Sequence, residues 1–319
     1  MARRPAQNQG SAANLFQAVT VAPPKPSQNR PRFSLTSDIV SYRRCSRQYG
    51  YFGHDGFVPA EATQIFFGTI IHQVLDRCHR HYSGLLGHPF ETVPAEADIE
   101  AYFLEVENAL ISHGVRPANK HVRDRALSLL KAFNRVEGPT LYPRVFDTEY
   151  RLESDRGAYI CRGVVDVLAN ADSGSKAPDQ VEIWDYKGSE MPDLSSQTLQ
   201  DYEWQMCVYA ELYKVRTGVY PARAILYFLN ELHVPQGSPP LTARPLRAVR
   251  TVEFTLARIQ QALSEFDMTA NDIINCQANN AWPMPAVDPG QGTCDICDIR
   301  WNCQAVSGWK RNYPLRRLA

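Results

Sequence analysis

The sequence predicts a mixed α/β domain in which a central β-sheet is flanked by helices. The chain has 319 residues, of which 44% are hydrophobic, and this is enough for one large domain with a substantial core. Strand-like patterns occupy the middle of the chain, and helical patterns stand on both sides of them. This arrangement is typical of a sheet covered by helical layers. We therefore expect one domain over residues 33–319.

The first 32 residues are predicted to be a disordered tail. Residues 1–37 contain no acidic residue, several arginines and many Pro and Gln residues. Such a segment has too little hydrophobic surface to offset the entropy that it loses on ordering. A transit peptide has a similar composition and is the alternative interpretation of residues 1–32.

Helical patterns follow the tail. A helix is expected to start near a cap at Thr36 or Ser37, and a second one begins near Gly68, where apolar residues recur at helical spacing. Residues 95–136 are helical in pattern, with a break near Gly114, and we treat them as a helical insert.

The middle of the chain alternates β-like runs with two long helical patterns. Runs rich in β-branched and aromatic residues, bounded by turn residues, are typical of strands. The expected strands span residues 144–152, 159–169, 181–186, 222–229 and 249–254, and the expected helices span residues 197–216 and 256–276.

Two acidic residues follow apolar β-like runs. Asp166 ends the run Gly163-Val-Val-Asp, and Asp185 and Lys187 stand two positions apart, so they project from one face of a strand. If the two strands are neighbours, both carboxylates and the backbone carbonyl of Tyr186 can bind Mg²⁺ or Mn²⁺. A bound ion lowers the pKa of its water, and Lys187 could stabilise the transition state. The alternative is that both acids end strands and face solvent, with Lys187 as a surface charge.

These two runs are followed by Gln205-Met-Cys-Val-Tyr209, and the set resembles the core motifs of RecB-like PD-(D/E)XK nucleases. The resemblance implies a restriction-endonuclease-like core and a Mg/Mn-dependent deoxyribonuclease that hydrolyses phosphodiester bonds. It implies that Asp166 and Asp185 are metal ligands and that Lys187 is the catalytic lysine. Gln205 and Tyr209 would then support the site or contact DNA.

Two further residues gain candidate roles from the same resemblance. The run Phe67-Gly-Thr-Ile-Ile-His72 resembles the upstream histidine motif of the family, in which the histidine is a metal ligand. An imidazole ligand suits Mn²⁺ better than Mg²⁺. His79 lies on the same helix face and is the competing candidate. Glu149 stands on the strand before Asp166, where it has either a supporting role or the plain role of a surface acid.

The spacing of three C-terminal cysteines predicts a metal centre. Cys294, Cys297 and Cys303 form a C-x2-C-x5-C pattern, and Cys45 is the candidate fourth ligand. This arrangement resembles the iron–sulfur staple of AddB-type nucleases and of CRISPR-associated RecB-like nucleases. The resemblance implies a [4Fe–4S] cluster bound by a C-terminal segment, residues 277–310. Tetrahedral zinc and unrelated reduced cysteines are the alternatives.

The expected partner is DNA. If the cysteines meet, basic and aromatic residues beside them form a patch suited to phosphates and unstacked bases, and solvated termini are the alternative. A formal net charge of zero argues against a protein that binds along DNA tightly and without sequence specificity. The candidate DNA-binding residues are Arg43, Arg44, Arg47, Trp309, Lys310 and Arg311.

Other partners and the compartment follow from what the sequence lacks. It has no Gly-Lys pair and hence no Walker A loop, so the resemblance implies a helicase, CRISPR-adaptation or defence-system partner. It has no long apolar run, so no membrane contact is expected. Eight cysteines without a secretory signal indicate a reducing compartment, the cytoplasm.

The sequence thus leaves three hypotheses for function. The first is an exonuclease that acts on single-stranded or end-containing DNA in repair, recombination or anti-phage processes. The second is a non-catalytic DNA- or helicase-binding module on the same fold. The third is a zinc-stabilised interaction protein, which would lack the colour of an iron–sulfur protein.

Overall fold

A six-stranded mixed sheet forms the centre of the protein, within the residues that the structure describes. This computed structural model describes residues 30–54, 63–172, 177–235, 237–285, 287–295, 297–300 and 303. The expected tail lies outside them except for residues 30–32. The strands are β1 (Arg32–Ser34), β2 (Val145–Asp155), β3 (Ile160–Asn170), β4 (Val181–Lys187), β5 (Arg223–Phe228) and β6 (Val249–Val252). The α/β class and the mixed sheet are therefore confirmed, and all five expected strands are present.

The sheet is organised around β3. Along one edge β3 pairs with antiparallel β2. On the other edge, β1 runs parallel to residues 160–162, and β4 runs antiparallel to residues 167–170. Beyond β4, β5 adds in parallel and β6 antiparallel. Residues 163–166 of β3, which include Asp166, thus lie between the β1 and β4 pairings.

The start of the domain differs from the sequence prediction. Instead of a helix capped by Thr36 or Ser37, the chain forms β1 and then a π-helical turn, Leu35–Val40. Ser34 caps this turn, because its Oγ accepts the Ser37 N–H at 3.3 Å. The partner of β1 is β3, more than a hundred residues further along the chain, so no local pattern could predict this strand.

Helices flank the sheet, and several begin at a side-chain cap. Ser196 caps the helix Gln197–Thr217 at its N-terminus, and Gly218, with φ 88°, ends it in the left-handed conformation that glycine favours. The helices are α1 (Ser41–Arg44), α2 (Ser46–Tyr49), α3 (Thr63–Tyr82), α4 (Glu96–Ser112), α5 (Lys120–Val136), α6 (Gly138–Leu141), α7 (Gln197–Thr217), α8 (Leu256–Asn279) and α9 (Gln291–Asp295).

Two hydrophobic cores lie on opposite faces of the sheet. Met206 of α7 and Phe266 of α8 belong to one core, and α3, α4 and α5 supply the other. Strand β4 alternates between them, with Ile183 in the first core and Trp184 in the second. The same alternation puts Asp185 and Lys187 on the α7 side. None of the described helices is both long and apolar enough to cross a membrane.

Candidate active site

A pocket of about 420 Å³ opens where the middle of β3 and the end of β4 meet α3 and α7. Its lining includes Asp166 and Asp185, together with Lys187, His72 and Gln205. A second opening of about 730 Å³ along α3 shares His72 and Asp166 with this pocket. The fold thus brings these predicted residues, which are distant in sequence, to one open groove.

Asp166 lies where the β3–β4 ladder ends. The last pair of this ladder is Val167 and Trp184. Just beyond that pair, Oδ2 of Asp166 accepts the backbone N–H of Tyr186 at 2.7 Å. Its Oδ1 lies 3.2 Å from Nδ1 of His72. Burial would raise the pKa of Asp166, but His72 and the Tyr186 N–H outweigh burial and hold that pKa below its usual value.

His72 reaches this carboxylate from α3. Burial would lower the pKa of His72, but the charge of Asp166 outweighs it and raises that pKa to about 9. By contrast, His79 is buried behind the pocket, where its Nε2 lies 2.9 Å from the Tyr186 hydroxyl, and burial lowers its pKa to about 4. Of the two histidines on α3 that the sequence left open, His72 is the one that lines the pocket.

Asp185 and Lys187 form a buried ion pair on the same edge of β4. Nζ of Lys187 lies 2.6 Å from Oδ2 of Asp185, although no donor is aligned for a hydrogen bond to this oxygen. Burial raises the pKa of Asp185 by more than the charge of Lys187 lowers it, so this pKa lies above its usual value. Burial alone would lower the pKa of Lys187, but the negative charge of Asp185 has the larger effect and raises this pKa. The lysine therefore stays an ammonium.

Three side chains of α7 hold Lys187 in place. Its Nζ donates to Oε1 of Gln205 at 3.4 Å and lies 4.4 Å from the ring centroid of Tyr202. Gln205 in turn donates from Nε2 to the Tyr209 hydroxyl at 3.2 Å. Sequence reasoning missed Tyr202; its position one helical turn before Gln205 is the signal that could have identified it.

Glu149 takes an uncommon backbone conformation beside Asp166. Its φ is 50°, in the left-handed region, and the β2–β3 register places it opposite Asp166, between the pairs Thr148–Val167 and Tyr150–Val165. Burial and the charge of Asp166 raise the pKa of Glu149. Backbone strain of this kind is often found at functional sites. The side chain of Glu149 is exposed and lines the opening along α3, so its supporting role stays a prediction.

The donor set fits a divalent ion. One ligand atom each from His72, Glu149 and Asp166 lie within 4.8 Å of one another. The adjacent Asp185 has a buried oxygen without an aligned hydrogen-bond donor. Carboxylates gathered this closely repel one another unless a cation lies between them. Carboxylate oxygens with one imidazole suit Mn²⁺ or Mg²⁺.

All four predicted cysteines line a second, smaller cavity. Cys45 lies between α1 and α2, and Cys294, Cys297 and Cys303 line the cavity with it. The N–H of Gln48 donates to Sγ of Cys45 at 3.4 Å, so this sulfur caps the N-terminus of α2. Burial raises the pKa of the Cys45 thiol, and the neighbouring Cys297 and Cys303 raise it further. The structure thus brings the four cysteines around one cavity, and a metal centre there stays a prediction.

The candidate DNA-binding arginines differ in their surroundings. Arg43 pairs with Glu265 at 3.2 Å and lies 4.2 Å from the ring centroid of Trp204. Arg47 contacts Sδ of Met284 at 3.6 Å, whereas Arg44 is exposed. The other three candidates, Trp309, Lys310 and Arg311, lie outside the described residues.

Comparisons with known proteins bear on the fold and on the family of the chain. The fold resembles the crystal structure of a protein named "Putative exonuclease" from Eubacterium rectale, with a TM-score of 0.50 and 13% identity over 86% of this chain and 88% of that one. No curated protein matches the chain. The PD-(D/E)XK nuclease superfamily matches residues 33–304, which contain both the pocket and the four cysteines. The chain belongs to the PD-(D/E)XK nuclease superfamily.

Proposed function

We propose that the protein is a divalent-metal-dependent DNA nuclease that hydrolyses phosphodiester bonds in the groove beside Asp166. The observation that carries the proposal is the convergence of Asp166, Asp185, Lys187 and His72 on one open pocket. A module that only bound DNA would not need a buried lysine paired to one of two adjacent carboxylates, because that arrangement costs desolvation free energy.

The ion would be held by His72, Asp166 and Asp185 with the backbone carbonyl of Tyr186, and Glu149 would support them. When bound, a divalent ion lowers the pKa of its water and neutralises charge on the phosphate. The two acids and the imidazole line the same pocket. An imidazole ligand favours Mn²⁺ over Mg²⁺.

Lys187 would act on the phosphate directly. Its ammonium is held by Asp185, by Gln205 and by the face of Tyr202. A positive charge that is already fixed in place stabilises the negative charge that develops in the transition state and needs no reorganisation. Gln205 and Tyr209 would then act as positioning residues, since they hold the ammonium and do not themselves carry charge.

Single-stranded or end-containing DNA is the substrate that we propose. The pocket and the opening along α3 meet at His72 and Asp166, so an extended strand can cross the ion site from one opening to the other. The exonuclease name of the structural neighbour belongs to that protein and supports this choice only by analogy. For the pathway, we propose that the protein works beside a helicase or within a CRISPR or defence system.

The second cavity is proposed to hold a [4Fe–4S] cluster on Cys45, Cys294, Cys297 and Cys303. Its role would be structural, because the cluster would tie residues near the start of the domain to residues near its end. Closing such a long loop restricts the unfolded chain. Zinc on the same thiolates is the alternative, and iron and sulfide analysis of anaerobically purified protein separates the two.

A cleavage assay tests the nuclease proposal. End-labelled single- and double-stranded DNA and circular DNA are incubated with the protein in Mn²⁺, in Mg²⁺ and in EDTA. We expect cleavage in Mn²⁺, and we expect EDTA to abolish it and Asp185→Asn to remove it. The matched control is Asp179→Asn, which changes an exposed acid outside the pocket and should leave cleavage intact. Binding without cleavage under every metal would replace the proposal with the non-catalytic module. Degradation of linear but not circular DNA would assign exonuclease action.

A further inference from the structure

A second cluster of metal-ligating side chains lies away from the nuclease pocket, at the end of α3. It consists of His81 in the last turn of α3, His88 in the segment after it and Asp98 in the first turn of α4. One ligand atom from each of the three residues lies within 4.8 Å of the others. Ligand atoms around tetrahedral Zn²⁺ are roughly 3.4 Å apart, given metal–ligand distances of about 2.1 Å. A small approach of the three groups would therefore complete a site.

The buried imidazole of His81 has an unused nitrogen. His81 is 1% exposed, and its Nδ1 lies 2.8 Å from the Tyr102 hydroxyl, but its Nε2 is buried without a hydrogen-bond partner. A buried polar atom left unsatisfied lowers stability and calls for an explanation. A metal ion bound to Nε2 would satisfy this atom.

The Tyr102 hydroxyl can orient both histidines for this purpose. Its oxygen lies 2.8 Å from Nδ1 of His81 and 3.0 Å from Nε2 of His88, and a phenol oxygen can accept from both N–H groups. In those tautomers Nε2 of His81 and Nδ1 of His88 each carry a lone pair. Metal-bound histidines typically donate their other N–H to an oxygen in this way.

A shared ion requires one imidazole to turn. The two rings stack with centroids 3.8 Å apart and an interplanar angle of 13°, and His88, the less buried of the two, has to tilt before both lone pairs point at one ion. Asp98 uses Oδ2 to accept the Ala95 N–H at 2.8 Å at the start of α4. Its other oxygen is left for a ligand bond. Two imidazoles and a carboxylate suit Zn²⁺ and related transition ions, whereas Mg²⁺ and Ca²⁺ prefer all-oxygen sites.

We propose that His81, His88 and Asp98 bind a divalent transition ion, of which Zn²⁺ is the best fit, at a site separate from the nuclease pocket. The ion clips the segment between α3 and α4 onto the end of α3. That helix also carries His72, nine residues earlier, or roughly 13 Å along its axis. The ion thus fixes the end of the helix that supplies the candidate active-site histidine.

The site is tested by cobalt titration of the full chain, with Co²⁺ as a spectroscopic probe for Zn²⁺. The background is Asp166→Asn, which weakens the nuclease pocket as a competing site, and the protein is first treated with EDTA. We expect one bound Co²⁺ per chain by metal analysis, with d–d bands and no thiolate charge-transfer band in the difference spectrum against the protein before cobalt addition. Adding His88→Ala removes this ion, and adding Tyr102→Phe weakens its binding about 10- to 100-fold. Adding His121→Ala, an exposed histidine on α5, leaves binding unchanged.

Two further measurements keep the test decisive. Asp98→Asn retains an oxygen for the Ala95 N–H, so it removes the ligand charge without removing the helix cap, and it serves if His88→Ala fails to fold. Zinc-edge anomalous diffraction from soaked crystals should give a peak between the three side chains. Unchanged cobalt stoichiometry in both variants, or no anomalous peak there, would overturn the proposal. Because no readout uses DNA cleavage, such a failure leaves the nuclease proposal intact.

Discussion

The ring of Tyr209 packs against Gly163 so closely that a β-carbon built on the glycine would lie 2.5 Å from Cε1 of the tyrosine. Any side chain at Gly163 therefore has to displace the ring. The Tyr209 hydroxyl accepts from Gln205, and Gln205 accepts from Lys187. The position of the glycine on β3 is thus linked to the position of the lysine on β4 through two side chains of α7.

Gly163→Ala should impair cleavage more than stability explains. We expect a loss of stability of about 1–3 kcal/mol from overpacking and a cleavage rate lower by on the order of 100-fold, because a small displacement of Lys187 misplaces its charge. Single-turnover rates and urea unfolding measure the two effects. In a Tyr209→Leu background, which has no ring to displace, the same alanine should cost much less. Equal costs in both backgrounds would show that the contact does not matter.

Substitutions at Glu149 should separate the effect of its backbone strain on stability from the effect of its carboxylate on metal binding. Glu149→Gly relieves the left-handed backbone, so the free energy of unfolding should stay the same or rise by up to about 1 kcal/mol, while Mn²⁺ affinity falls. Glu149→Gln keeps the strain and removes only the charge. Calorimetric Mn²⁺ titration and urea unfolding of both variants check this prediction. Undiminished Mn²⁺ affinity in both would remove Glu149 from the site.

Burial of neutral His79 should make the protein less stable in mild acid. Its folded pKa of about 4 lies below the unfolded value of about 6.5, so the unfolded chain binds more protons between these values. Stability is complete above about pH 6.5 and is lost as the pH falls toward 4, with a loss of roughly 2 kcal/mol at pH 5. Above about pH 6.5 the raised pKa of His72 changes stability in the opposite direction, and this contribution is common to the unsubstituted protein and a His79 variant.

The measurement for His79 is urea unfolding of the protein and of His79→Gln at pH 7.5 and at pH 5. Glutamine can retain a hydrogen bond to the Tyr186 hydroxyl but does not take up a proton. The variant should lose less stability between the two pH values than the unsubstituted protein loses. The same loss in both proteins would mean that His79 does not contribute to the acid sensitivity.

Cys45→Ser should remove the iron–sulfur absorption and loosen the fold. The serine replaces the proposed cluster ligand that lies far from the other three in sequence, so the cross-link between the two ends of the domain is lost. Iron content, visible absorption and thermal unfolding after anaerobic purification check this. Cys276→Ser, which changes a half-buried cysteine outside the cavity, should retain full iron content. Equal iron content in the two variants would exclude Cys45 as a ligand.

Local patterns predicted much of the fold. The strands β2 to β6 and the helices α7 and α8 follow apolar periodicity that is legible within ten to twenty residues, and the structure has all of them. By contrast, β1 escaped prediction because its partner β3 is far away in the chain. The left-handed backbone of Glu149 escaped it too, since nothing in the residues around a glutamate signals a positive φ.

The candidate site was predictable to a different degree. The alternation of β4 is enough to put Asp185 and Lys187 on one face, and resemblance to a nuclease family drew attention to His72, Gln205 and Tyr209. Tyr202 and the Glu149 geometry depend on how α7 and β2 pack against the sheet, which a sequence does not display. The His81–His88–Asp98 cluster likewise exists only because the segment after α3 folds back on the helix.

The most direct test of the account is the single-turnover cleavage rate of end-labelled single-stranded DNA in saturating Mn²⁺ for Lys187→Ala. Loss of a fixed charge that stabilises the transition state should lower this rate by at least about 100-fold. Lys120→Ala, an exposed lysine at the start of α5, should stay within about twofold of the unsubstituted protein. A Lys187→Ala protein that binds Mn²⁺ and cleaves at the unsubstituted rate would contradict the assignment of this pocket as the nuclease site.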